Sequence, residues 1–167
     1  MASIPELLAE LERSASWIAE ILAQYPASRL NEPPPGGGWS AGGIMEHLCL
    51  TEEAINWLLI GNCEPALRAP DEQVQRIRST FEDDTRQLQS SGPLMPGPEP
   101  KTHAIAARFE EARSATVSLL HLHDPDELCL SFTHAVFGQL TRLEWGYFAL
   151  YHGDRHGRQL DRLLRLL

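Results

Sequence analysis

Apolar residues recur every three or four positions through four stretches of this 167-residue chain, the spacing of an α-helix with one buried face. The first stretch places Ile4, Leu7, Leu8, Leu11, Ala15, Ile18, Leu22 and Tyr25 on one side. Ser3 with Glu6 three residues later forms the capping-box pattern at its start, and Pro26 stops it. The segment NEPPPGGG then reads as loop. Ser40 caps a second helix whose stripe runs Ile44, His47, Leu48, Thr51, Ile55, Leu58 and Leu59. A third helix is expected from about Thr102 to about His121, with Ile105, Phe109, Ala112, Thr116, Leu119 and Leu120 inward and Asp124-Pro125 ending it. The fourth opens on Thr141 and Glu144, again the capping-box spacing, and carries Trp145, Phe148, His152, His156, Gln159 and Leu163 on one face.

Between the second and third helices, residues 61–100 are mostly charged and polar. Val74, Ile77, Phe81 and Leu88 keep a helical spacing, but SGPLMPGPEP breaks any helix. A short helix and a long loop packed over the bundle are expected, of the kind that often serves as a lid. Leu128, Leu130 and Phe132 alternate with Cys129 and Ser131, which suggests one short extended piece. The pattern predicts an all-α fold, a four-helix bundle with a long, partly irregular connection between helices 2 and 3, as a single domain over residues 1–167. Periodicity leaves the up-down order of the helices open.

Charge narrows the choice of partner. Fourteen Lys and Arg stand against 23 Asp and Glu, a formal charge of -9. Nucleic acid is disfavoured, because its affinity rests on basic side chains neutralising phosphates, and an anionic membrane is disfavoured for the same reason. The arginines between Arg155 and Arg165 are spread around a helix and interleaved with Asp154 and Asp161. Cys49, Cys63 and Cys129 are far apart in sequence with no CxxC pair, a pattern that suits free thiols in a reducing cytosol. MASIPELLAELE carries acids where a secretory leader has an apolar core, and no apolar stretch approaches the ~20 residues of a membrane span. The expected location is cytoplasmic.

The candidate chemistry lies in the histidines. His152 and His156 are four apart, so their rings leave the same helix face on adjacent turns, a spacing that lets two imidazoles hold one ion. His47 sits in the apolar stripe of another helix, where a neutral imidazole needs partners for its nitrogens. Facing helices of a bundle build metal sites from such residues. The spacing alone leaves two readings open, a metal site and three packed histidines.

Two segments carry a resemblance. WSAGGIMEHLCLTE at 39–52 and HAVFGQLTRLEWGYFALYHGDRHGRQL at 134–160 resemble signature segments of the DinB/YfiT-like superfamily. The first is similar to its W-S…E-H-L opening of the second helix, the second to its H-P-x-x-G-x-L-T…E-W…H-x-x-x-H-x-x-Q element. Ala135 departs from the usual proline, and residues 61–100 match no motif. The resemblance implies a four-helix bundle, commonly a homodimer, with His47, His152 and His156 on a divalent metal ion. Zn²⁺, Ni²⁺ and Fe²⁺ all accept imidazole. Three imidazoles with an open position make a catalytic arrangement, able to activate water or a thiol.

Other residues read more plainly. Glu46 points about 100° away from His47 and is taken as a surface or inter-helix acid. Glu144 is read as the capping acid alone, Asp154 as solvent-exposed, and His134 as a loop hydrogen-bonder. His121 and His123 suit the negative end of the third helix, where His103 marks the other end. Trp39 anchors the turn before the second helix, and Trp145 and Phe148 belong to the core or to a pocket wall. Cys49 is off the histidine face and is not a catalytic candidate. Gly146, Gly153 and Gly157 weaken their helix, which suggests close approach of a neighbouring helix or a second subunit. No catalytic acid, base or nucleophile is assigned.

The functional expectation that the resemblance implies is a thiol-dependent S-transferase, taking a small-molecule substrate and a low-molecular-weight thiol at the tri-histidine metal. Two alternatives stand beside it: a hydrolase using metal-activated water, and a non-catalytic stress-related binding bundle.

Overall fold

The computed structural model describes residues 3–90 and 92–167, and the fold is the expected all-α bundle. Helices α1 (Ile4–Ala23), α2 (Ala41–Ile60), α4 (Ile105–Leu122) and α5 (Arg142–Leu164) are the long members, and α3 (Val74–Glu82) is a short fifth helix in the long connection. α1 and α2 each pack against both α4 and α5, so the two sequence neighbours stand diagonally across the bundle. α3 lies on α5. Two three-residue strands, β1 (Cys63–Pro65) and β2 (Glu127–Cys129), pair antiparallel outside the bundle.

Local chemistry explains where three of the long helices start. Ser3 and Thr141 form complete capping boxes with Glu6 and Glu144, and Ser40 Oγ accepts the Gly43 N–H at 3.1 Å. Such caps contribute about 1 kcal/mol each. α4 starts at Ile105 rather than about Thr102: the Ile105 and Ala106 N–H groups donate to the Thr102 and His103 carbonyls, three residues back, so the chain enters the helix through a tight turn. α3 ends at Glu82, which leaves Leu88 outside it on the surface. The extended piece is shorter than its alternation suggested and faces the other way: Cys129 is buried and Phe132 is exposed.

The core divides into two apolar clusters. One gathers Leu7, Leu11, Ile55, Leu59, Phe81, Leu120, Phe148 and Leu150; the other gathers Ile18, Leu22, Ile44, Leu48, Phe109 and Leu160. Fully burying side chains of this size contributes roughly 1.5–3 kcal/mol apiece. Along every long helix a buried polar residue falls between the two: Ser14 on α1, Glu52 on α2, Arg113 on α4 and His152 on α5. The bundle therefore has a polar waist. Glycines let the helices close around it, as expected from neighbouring helices. A Cβ on Gly153 would come within 2.8 Å of Arg113 Nη2, and one on Gly157 would strike the Trp17 ring of α1.

Candidate metal centre

His47 lies on α2 nearly two turns beyond the Ser40 cap, among the buried residues Ile44, Met45 and Leu48. The rotation of α5 that aims His152 and His156 is fixed at its start. Glu144 is wholly buried there and does more than cap the helix, contrary to the sequence reading. Its two carboxylate oxygens accept from Arg68 Nη1 and Nη2, both at 2.7 Å, and Oε1 also accepts the Gln73 N–H at 2.8 Å. One carboxylate thus ties the long connection to the helix that carries two of the histidines.

The three rings converge. Their centroids are 4.6–5.0 Å apart, and one nitrogen from each lies within 4.8 Å of the others. His47 Nε2 and His152 Nε2 are separated by 3.0 Å. The outer nitrogens are occupied. His47 Nδ1 donates to the Leu94 carbonyl at 2.8 Å, and His156 Nδ1 donates to Gln159 Oε1 at 2.9 Å. A carbonyl oxygen can only accept, so these bonds put the proton on Nδ1 and leave the Nε2 lone pair turned inward. Gln159 and Leu94 therefore act as orienting partners, the arrangement that aims metal-binding imidazoles.

Burial keeps the imidazoles neutral. It lowers His47, against a small opposing effect of the Leu94 bond. It lowers His152 well below the usual histidine value, helped by the charges of His156, His47 and Arg113. It brings His156 down to about 3, with His47 adding to the effect and Gln159 opposing it. His47 and His152 are only 2% and 8% exposed; His156 as a residue is half-buried, but its ring packs edge-on against both others. Phe148 stacks on His152 at 5.6 Å, Phe81 meets it edge-on at 5.5 Å, and Trp39 lies 4.9 Å from His47. The donor set fits a divalent ion. His47, His152 and His156 each offer one nitrogen, and the three lie within 4.8 Å of one another, a spacing that suits ligation of a single ion.

A strap of chain crosses the site. Besides the Leu94 bond, the Gly97 N–H and Lys101 Nζ both reach Glu46 Oε2 at 2.8 Å. From the other side Arg155 donates to the Asp83 carbonyl at 2.8 Å, and Arg158 and Arg162 pair with Asp84 at 3.0 and 2.8 Å. Arg155, Arg158 and Arg162 of α5 thus fasten the connection. Surface cavities open elsewhere, along α1 and between Tyr25, Pro34 and Leu163.

The remaining candidates fall into place. Glu46 is off the site, as its helix position implied, and serves the strap. Asp154 is not solvent-exposed: burial raises its pKa, and Ser14 Oγ donates to it at 2.6 Å. His134 is a loop residue whose Nδ1 accepts the Val136 N–H at 3.0 Å. His103 bonds the Tyr25 carbonyl at 2.9 Å, while His121 and His123 are exposed. Cys49 is buried and its thiol is pushed up to about 12, so it offers no nucleophile.

Sequence reasoning missed the Arg113–Glu52 pair beside the histidines. Arg113 Nε donates to Glu52 Oε1 at 2.6 Å, and its other nitrogens reach the Leu11 and Ala149 carbonyls at 3.1 and 3.0 Å. Thr116 Oγ1 adds a bond to Glu52 at 2.7 Å. Both residues lie on the inward stripes of their helices, which was the available signal.

Comparison with known proteins agrees with this architecture. The family model described as the DinB superfamily matches residues 10–160. A solved structure, that of TT2238, a four-helix bundle protein, superposes with a TM-score of 0.61 over 96% of this chain and 99% of that one. The two are 22% identical, and the likeness is one of fold. No curated protein matches the chain in sequence. Among the described residues, no helix is long and apolar enough to cross a membrane.

Proposed function

The chain belongs to the DinB superfamily, and from that premise we propose that it holds one divalent metal ion on His47, His152 and His156 and uses it to activate a low-molecular-weight thiol for transfer to a small electrophile. The observation that carries this reading is the convergence of three neutral imidazoles within 4.8 Å. A divalent ion bound there supplies Lewis acidity, lowering the pKa of a thiol or of water in the remaining position. The protein's own part is binding and orientation. Leu94 and Gln159 hold two rings with Nε2 inward, and Phe81, Phe148 and Trp39 keep the surroundings dry. Zn²⁺, Ni²⁺ and Fe²⁺ are the candidate ions. A homodimer working in the cytoplasm completes the proposal.

The test is metal content by mass spectrometry on untagged protein, beside His47→Ala and His152→Ala. Near one equivalent in the wild type, lost in both variants, is expected. Loaded protein should then consume thiol only when an electrophile is present. No metal after incubation with zinc or nickel at neutral pH overturns the site, and turnover that ignores thiol moves the chemistry to metal-activated water.

The strap favours a second reading. His47 and His152 are almost wholly buried, His47 with the Leu94 carbonyl of the connection against its ring, which suits an ion that braces a non-catalytic binding bundle. One equivalent of metal with no turnover across a panel of thiols and electrophiles supports that reading over the first.

A further inference from the structure

Cys63 and Cys129 are 66 residues apart in sequence and stand directly opposite each other in the β1–β2 ladder. The Leu130 N–H donates to the Asn62 carbonyl at 2.9 Å, while the Cys129 N–H turns away to the Leu140 carbonyl at 2.9 Å. The two cysteines therefore form a non-hydrogen-bonded pair, the kind whose Cα atoms approach to about 4.5 Å. That separation falls within the roughly 4.4–6.8 Å that a disulfide spans. The sulfur atoms are already 3.5 Å apart, and both thiols are free. Cys49, the third thiol, is buried in α2 with its sulfur toward the Ile105 carbonyl. Sequence spacing gave no hint of this pairing.

We propose that Cys63 and Cys129 form a dithiol site, separate from the histidines, that a low-molecular-weight disulfide oxidises to an intramolecular disulfide. Exposure sets the order of events. Cys63 is half-buried on the short β1 strand, whereas Cys129 is 1% exposed. Cys63 gives its proton to solvent, and its thiolate attacks one sulfur of the disulfide R–S–S–R. A Cys63–S–S–R bond forms and one R–S⁻ leaves. Cys129 then loses its proton and attacks the Cys63 sulfur, which breaks the mixed disulfide and releases the second R–S⁻. The two leaving thiolates take up two protons. The protein dithiol is oxidised by two electrons, and R–S–S–R is reduced to two R–SH. Burial pushes the Cys129 thiol up to about 12, with Cys63 adding to the shift, which suits the second attacker rather than the first.

The test exposes the reduced full-length chain to oxidised glutathione at neutral pH, quenches with acid and counts thiols in denaturant. Two of three thiols should disappear, the mass should fall by two hydrogen atoms, and a digest should join the peptide of Cys63 to that of Cys129. Cys63→Ser should keep its two thiols. Cys129→Ser should stop at a glutathione adduct on Cys63. Three thiols retained by the wild type, a lasting glutathione adduct on the wild type, or a cross-link to Cys49 would each overturn the proposal. If Cys129→Ser does not fold, the wild-type count and digest decide alone.

Discussion

Around Arg113 every nitrogen finds an acceptor inside the protein, whereas around His152 three ring nitrogens face one another across a short gap. Both clusters sit in the polar waist of the bundle, and Arg113 is close enough to help hold His152 neutral. The Arg113 cluster closes on itself: guanidinium, carboxylate, hydroxyl and two backbone carbonyls account for each other. The histidine cluster is held on its outer side by Leu94 and Gln159, and inward its nitrogens meet one another, His47 Nε2 lying 3.0 Å from His152 Nε2. A buried polar group that is complete needs nothing further, and one that is incomplete toward a common point calls for a ligand. The difference sets a candidate binding centre apart from a structural polar one more sharply than burial or residue type does.

Substitutions at each cluster can break that contrast. The largest effect is expected at the closed one: Arg113→Met leaves the Glu52 carboxylate buried and unpaired, costing about 3–5 kcal/mol in urea denaturation. Replacing both members by apolar residues should cost less than that single change. Next comes the gain from metal. At a hundredfold excess over the dissociation constant, a bound ion raises unfolding stability by about 2.7 kcal/mol. Calorimetry should find that gain in the wild type and in conservative Arg113 variants that fold, and find none in His152→Ala. Gln159→Leu leaves His156 unoriented, and metal titration should show roughly 10–100-fold weaker binding with an intact fold.

A pH slope in ion-free protein tests the histidine cluster without any metal. His47, His134, His152 and His156 all have folded pKa values below the ordinary 6.5, His156 down to about 3. The unfolded chain then binds protons that the folded chain refuses. Stability is fully present above 6.5 and falls as pH drops through the window toward about 3. The slope is about 1.4 kcal/mol per pH unit for each proton withheld. A flat profile of stability against pH between 6.5 and 4 would contradict the burial of these rings.

The sequence revealed the histidines because their signal is local. His152 and His156 declare a shared face by spacing alone, and His47 stands out in an apolar stripe. The capping boxes at Ser3 and Thr141 are equally local, and so were read with their boundaries. What escaped depends on tertiary register. Glu52 and Arg113 lie on inward stripes, yet only packing shows that a carboxylate on α2 meets a guanidinium on α4. Glu144 looked complete as a cap because Arg68 comes to it from the far connection. Asp154 looked exposed until α1 brought Ser14 against it. The Cys63–Cys129 pairing rests on two three-residue strands, of which alternation announced only the second, and that only in part.

The order of the ligands along the chain has a consequence for biosynthesis. His47 and His152 are 105 residues apart, so at ribosomal rates of about 5–20 residues per second roughly 5–20 s pass between their syntheses. Until α5 emerges, a nascent chain offers an ion a single histidine of the three. An ion cannot template the early helices through this site. An ion held on all three histidines would arrive only once α5 has been made, when the cell's free metal pool, rather than the translating ribosome, would determine which ion is taken.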